Sequence, residues 1–202
     1  MKGEFVLIRG IGQLSDWMKE NDVDVSFLTS TENVFYLSGF HSNPHERLLG
    51  LVVFQYEEPF LICPAMDVNV AKSSGWVYEI IGYSDIDQPW ELVHKAILRR
   101  GCQSSKMAIE KEHMNVERFE ILHNLFPQTT FLSAEEKLRQ LRMIKTDKEL
   151  KILRQACELA DFAIEIGFGE IKDGKTELEI LAAIEFALKK KGVKEMSFST
   201  MV

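Results

Sequence analysis

The chain has 202 residues, 46% of them hydrophobic and 27% charged, a globular balance that argues against disorder. Its 24 Lys and Arg against 31 Asp and Glu leave a net charge of −7, which disfavours an electrostatic nucleic-acid binder. No apolar run reaches the ~18 residues of a membrane helix, and the amino terminus has no apolar signal segment, so a cytoplasmic chain with neither nucleic-acid nor membrane partners is expected.

Leu14, Trp17 and Met18 share one helical face, with Ser15 and Asp16 early in that helix and Asn21-Asp22 closing it. Gly10-Ile11-Gly12 ahead of it is expected to be a loop, since it lacks the third glycine of a dinucleotide fingerprint. Val25–Leu28 then reads as a short buried strand. The uninterrupted apolar run Leu48–Phe54 suits a central strand covered on both faces. Glu57-Glu58-Pro59 marks a turn into a strand at Phe60–Cys63. Further strands are expected at Val77–Ile81, Lys106–Ile109 and Thr129–Leu132, with helices at about 90–100 and 115–125. Strands separated by helices give an α/β domain with a mixed sheet.

The composition changes near Ser133. Residues 1–132 carry 11 basic and 18 acidic residues, whereas 133–202 carry 13 of each and show long helical periodicity. Two domains, 1–132 and 133–202, are therefore expected. Ser133, Thr146 and Thr176 each precede a glutamate by three residues, the capping-box signature of a helix start. After Thr146, Leu150, Leu153, Cys157, Ala160 and Ile164 recur at helical spacing until Gly167 and Gly169, read as the stop. After Thr176, Leu181, Ile184 and Leu188 line a helix ended by Gly192, with Lys189–Lys191 favourably placed at its carboxyl end. Met196, Phe198, Thr200 and Val202 alternate with Ser197, Ser199 and Met201 as a strand would, with no partner strand following. The pattern reads as part of a longer protein.

Three cysteines, Cys63, Cys102 and Cys157, form no CxxC pair and are expected to be reduced and buried. The sequence has no nucleophile elbow, phosphate loop or metal-binding helix motif, and the spacing of His41, His45, His94, His113 and His123 suggests no ligand set. One segment concentrates chemistry: residues 36–47 place His41, His45, Glu46 and Arg47 in a short stretch with Gly39 and Pro44. Read from the residues alone, a solvated local polar network is favoured. The functional alternative is a loop that binds an anion or a peptide terminus, because Arg grips a carboxylate and His hydrogen-bonds near neutral pH.

Tyr36-Leu-Ser-Gly-Phe40 followed by Asn43-Pro-His-Glu-Arg47 resembles the amino-terminal domain of bacterial Xaa-Pro dipeptidases (prolidases). Arg142, Lys145, Glu149 and Arg154 match the R-x-x-K-x-x-x-E-x-x-x-x-R pattern at the domain junction of the creatinase/prolidase/aminopeptidase P family. Residues 197–202 resemble the first strand of that family's pita-bread catalytic domain. The resemblance implies an α/β creatinase/prolidase-type amino-terminal domain, a mixed sheet with flanking helices, followed by the helices of an incomplete pita-bread (α+β) domain. It implies a hydrolase cleaving the bond before proline, two divalent cations (manganese, cobalt or zinc) in a full-length relative, and a homodimer. The family's Asp, His and Glu ligands fall downstream, so no catalytic or metal-binding residue is assigned here, no cofactor is expected for this chain, and the chain alone is expected to be inactive. Asn43, His45, Glu46 and Arg47 are the candidate contacts to a dipeptide end, reaching a partner subunit's site. Asn43 stands where relatives often have Asp. The alternatives are a non-catalytic creatinase-like binding or scaffold protein, and a portion of an aminopeptidase P.

Overall fold

Runs of buried, mostly apolar residues build the four inner strands of a six-stranded mixed sheet in the computed structural model, which describes residues 4–102 and 104–202. Two compact units result, Met1–Met143 and Ile144–Val202. The reading of Met1-Lys2-Gly3 falls outside the described residues.

In the first unit, strands β1 (Val25–Leu28), β2 (Gly50–Phe54), β3 (Phe60–Pro64), β4 (Glu79–Tyr83), β5 (Lys106–Ile109) and β6 (Thr130–Ser133) stand in the order β4-β3-β2-β1-β5-β6. β2 runs antiparallel to both β1 and β3, while β3–β4, β1–β5 and β5–β6 are parallel pairs. Every residue of β1, β2 and β3 is buried, as expected of strands covered on both faces. Alternate side chains feed two cores. Leu28, Leu51, Val53, Leu61 and Ala108 meet Leu14, Met18, Val34, Leu37, Leu138 and Leu141 on one face. Phe27, Val52, Phe60, Ile62 and Met107 meet Val93, Ile97 and Leu122 on the other. Each fully buried Val, Leu, Ile, Phe or Met among them stabilises the fold by about 1.5–3 kcal/mol relative to exposure.

The flanking helices are α1 (Glu4–Glu20), α2 (Thr31–Ser38), α3 (Val68–Ser73), α4 (Pro89–Arg99), α5 (Val116–Leu125) and α6 (Glu135–Met143). Several expectations are corrected. Gly10 and Gly12 lie inside α1, not in a loop. A Cβ on Gly10 would stand 3.0 Å from Leu37 Cδ2, so its absence permits the close approach of α2. Tyr36–Ser38 form the last turn of α2, started by the Ser30 hydroxyl, which accepts from Asn33 N, and ended by Gly39 at φ 73°. The fourth strand lies two residues later than Val77–Ile81, at the exposed edge of the sheet. The division between units falls after Met143 and not before Ser133. Leu138 and Leu141 bury α6 in the first core, and Tyr36 Oη donates to Leu141 O at 2.7 Å.

In the second unit, Thr146 and Thr176 open α7 (Asp147–Glu170) and α8 (Glu177–Lys190) with complete capping boxes. At Ser133 the hydroxyl donates to Glu135 instead, and Glu136 accepts from Gln140 Nε2. Gly167 and Gly169 do not stop α7. A Cβ on Gly167 would stand 3.1 Å from Ile184 Cδ1, so the bare glycine sets the α7–α8 contact. Gly192, at φ 90°, follows α8 as expected. Residues 196–202 are irregular, not a strand: alternation makes a strand only beside an edge that accepts its hydrogen bonds, and the six described strands pair among themselves. The cysteines are all free, with Cys63 buried but Cys157 exposed, against expectation. Burial and the nearby Asp67 carboxylate push the Cys63 thiol up to about 12, making it inert.

Candidate functional site

Pro44 and Gly39 break the chain between α2 and β2, and the intervening loop stays on the surface because its polar groups find local partners. Asn43 Oδ1 accepts from His45 N at 3.3 Å, and Pro44 O accepts from Arg47 N at 3.1 Å. His45 sits in the left-handed region at φ 55°, uncommon for a side-chain-bearing residue. Asn43, His45 and Glu46 are exposed and Arg47 is half-buried. Ser42 Oγ donates to Asp67 Oδ2 at 2.9 Å, and the His41 ring meets Phe35 edge-on, so both belong to the loop's anchorage.

Arg47 reaches across to the turn after β4. Its Nη2 lies 3.0 Å from Asp85 Oδ1 and 3.3 Å from Oδ2, while Nη1 is 3.4 Å from Met66 Sδ. From the other side, Arg118 on α5 donates through Nη2 to Glu46 O at 3.0 Å. The two guanidinium groups, Tyr83, Asp85 and Trp90 line one groove. Tyr83 Oη donates to Leu48 O at 2.9 Å. Burial pushes its phenol up, opposed by the positive charges of Arg47 and Arg118. Asp87 accepts from Ser84 N and Oγ at 2.7 and 2.6 Å, which hold its carboxyl below the usual range. The structure thus brings all four candidates, Asn43, His45, Glu46 and Arg47, into one exposed loop. It adds Arg118, Asp85 and Trp90, which no local motif marks. A half-buried guanidinium held only through one nitrogen by an exposed partner can grip a carboxylate that displaces it.

A second polar cluster escaped the sequence reading. The carboxylate of Glu110, at the end of β5, is only 2% exposed. Its Oε2 accepts from Thr29 N at 2.6 Å and Ser30 N at 2.8 Å, and its Oε1 from Ser30 Oγ and Asn33 Nδ2, both at 2.5 Å. Four donors occupy it, so it is a structural joint and not an open ligand. Among the described residues, no group of three or more His, Cys, Asp or Glu side chains is placed to hold a metal ion. These residues do not fit a dinuclear metal centre. Nor is any described helix long and apolar enough to cross a membrane.

A three-layer α/β/α unit with this topology, carrying its polar loop ahead of the second strand, is an amino-terminal domain of the prolidase type. Residues 11–144 match the Creatinase/Prolidase N-terminal domain, and the chain belongs to that family. The "Putative dipeptidase YkvY" of Bacillus subtilis (strain 168) is 47% identical over 192 residues, covering 95% of this chain and 53% of that protein. The "Xaa-Pro dipeptidase" of Lactobacillus delbrueckii subsp. lactis is 37% identical over 194 residues, again 95% of this chain and 53% of the relative. The chain therefore spans about half the length of the curated relatives it matches. Among solved structures, the N-terminal domain of Xaa-Pro dipeptidase from Lactobacillus brevis aligns with a TM-score of 0.62 at 33% identity, covering 64% of this chain and 98% of that one. The prolidase from Pyrococcus horikoshii OT3 aligns with a TM-score of 0.78 at 25% identity, covering 92% and 50%.

Proposed function

We propose that the chain serves as the amino-terminal half of an Xaa-Pro dipeptidase, and that residues 43–47 contact one end of the peptide substrate. The observation that carries the reading is the 37% identity, across 95% of the chain, to a protein named Xaa-Pro dipeptidase. The relatives reported above bear dipeptidase names, which favours this reading over an aminopeptidase P or a scaffold. In this role the chain contributes binding and orientation. His45 and Arg47 supply hydrogen bonds to a peptide carboxylate, held at the loop by the Asn43 turn and by Arg118 on Glu46 O. The divalent cations that the family resemblance implies would polarise the scissile carbonyl, and no residue of this chain is assigned to hold them. A homodimer in the cytoplasm, with the loop facing the other subunit, completes the proposal.

The test joins residues 1–202 to the second half of the Bacillus subtilis relative and assays dipeptides with added manganese, cobalt or zinc. Hydrolysis of Xaa-Pro in preference to the matched Xaa-Ala dipeptide supports the reading. An inactive or proline-indifferent chimera, beside a relative that cleaves Xaa-Pro, would overturn it.

A further inference from the structure

The groove beside the loop holds more than a docking point for Arg47. Its guanidinium meets Asp85 through the single nitrogen Nη2, so the contact forgoes the paired two-nitrogen geometry that grips carboxylates bidentately, and that geometry opens to another carboxylate only once Asp85 leaves Nη2. Nη1 rests on Met66 Sδ, a weak acceptor. The pair is open to water, with 79% of the Asp85 side chain exposed, and pairs this exposed bind weakly. Of the groove's carboxylates, Asp85 is the one on Arg47. Asp87 is taken up by Ser84 N and Oγ, and Glu46 engages Arg118 through its backbone carbonyl. Arg118 therefore fixes the loop's backbone while Arg47 stays exchangeable.

We propose that Asp85 is the resting counter-ion of Arg47, displaced by the carboxylate of an incoming peptide, with Arg118 as the positioning residue that holds the loop during the exchange. This rests on the peptide-end reading of the loop and deepens it. The exchange trades one carboxylate for another on the same cation, and the displaced Asp85 carboxylate, 79% exposed, is left to water. Asp85 thus lowers apparent affinity while keeping Arg47 extended across the groove.

The experiment titrates N-acetylproline, a carboxylate without an amine, into the 202-residue chain and follows the Arg47 and Arg118 Nε–Hε signals by NMR. The Arg47 signal is expected to move and saturate, and Asp85→Asn to bind about two- to fivefold more tightly, the most that an exposed pair holds back. Arg118→Lys, which keeps the charge but loses the guanidinium geometry, is expected to weaken binding. Glu91→Gln, removing a charge elsewhere on α4, serves as control. An unmoved Arg47 signal in the parent chain would sink the peptide-end reading itself. A moving signal with Asp85→Asn binding equally or more weakly, or with Glu91→Gln giving the same gain, would overturn the exchange and leave that reading standing.

Discussion

Glu110 Oε2 accepts the backbone N–H of Ser30 at 2.8 Å, so the carboxylate at the end of β5 closes the first turn of α2, eighty residues away in sequence. With Thr29 N, Ser30 Oγ and Asn33 Nδ2 on the same group, this joint aims α2 and hence the loop that follows it. Glu110→Ala would strand several buried donors, each costing about 1–3 kcal/mol. The expected destabilisation is on the order of 3 kcal/mol or more, read by urea unfolding. Glu110→Gln should also destabilise, because its amide N–H₂ would face other donors. A neutral outcome for both would show the joint to be dispensable.

Gly50 and Gly12 should respond oppositely to alanine. A Cβ at Gly50 would fall 2.5 Å from Phe27 Cε2 and 3.1 Å from Ile62 Cγ2, inside the sheet core. Overpacking of this kind costs about 1–3 kcal/mol. Gly12 lies in α1 with nothing within 4 Å of a new Cβ, so Gly12→Ala should stabilise by about 0.5–1 kcal/mol. Thermal unfolding of the two variants gives the signs directly.

That contrast also marks where the sequence was legible. β1 and β5 were readable to the residue, because short, mostly apolar runs, interrupted only by Ser26 and opened by Lys106, suit a sheet covered on both faces. The glycines misled. Gly10 and Gly167 look like helix breaks locally, yet each clears space for a neighbouring helix, a cause visible only in three dimensions. α2 went unseen because Ser30 is followed three residues later by Asn33, without the glutamate of a capping box. The density of polar chemistry singled out the loop through His41, His45, Glu46 and Arg47, while Asn43 and a role for the loop came only from the family resemblance. Asp85 and Arg118 were not legible, since they lie 38 and 72 residues from their loop partners.

Acid should weaken the fold partly through Glu79. Burial alone would raise its carboxyl, but the bond and charge of Arg100 and the charge of Arg99 hold it below the ordinary value of 4.5. A carboxyl depressed in the folded state contributes stability above its unfolded value and loses it as pH falls through the folded one. The stability difference between the parent chain and Glu79→Gln should therefore be constant at neutral pH and shrink below about pH 4.5. Because Glu79 is partly exposed, the effect is small. Urea midpoints at several pH values would contradict this if the difference grew with acid.

The second unit presents much apolar surface. Phe168, Leu178 and Phe186 are each about two-thirds to three-quarters exposed, and Ile180 and Leu188 are the buried side chains of α8. Little buried area holds that helix. In a verified monomer of the 202-residue chain, α8 amides should exchange orders of magnitude faster than those of β1, β2 and β5. Uniformly slow exchange across both units would refute the expectation.

The central claim, that residues 43–47 touch the peptide, is tested most directly by kcat/KM for an Xaa-Pro dipeptide in the chimera with the Bacillus half, with and without Arg47→Ala. Loss of a charged hydrogen bond worth about 1.5–3 kcal/mol predicts a fall of roughly ten- to hundredfold. Unfolding of residues 1–202 should change by no more than about 1 kcal/mol, since the Arg47–Asp85 pair is exposed. Unchanged kcat/KM with a clearly destabilised fold would contradict the account and make the loop a structural polar network.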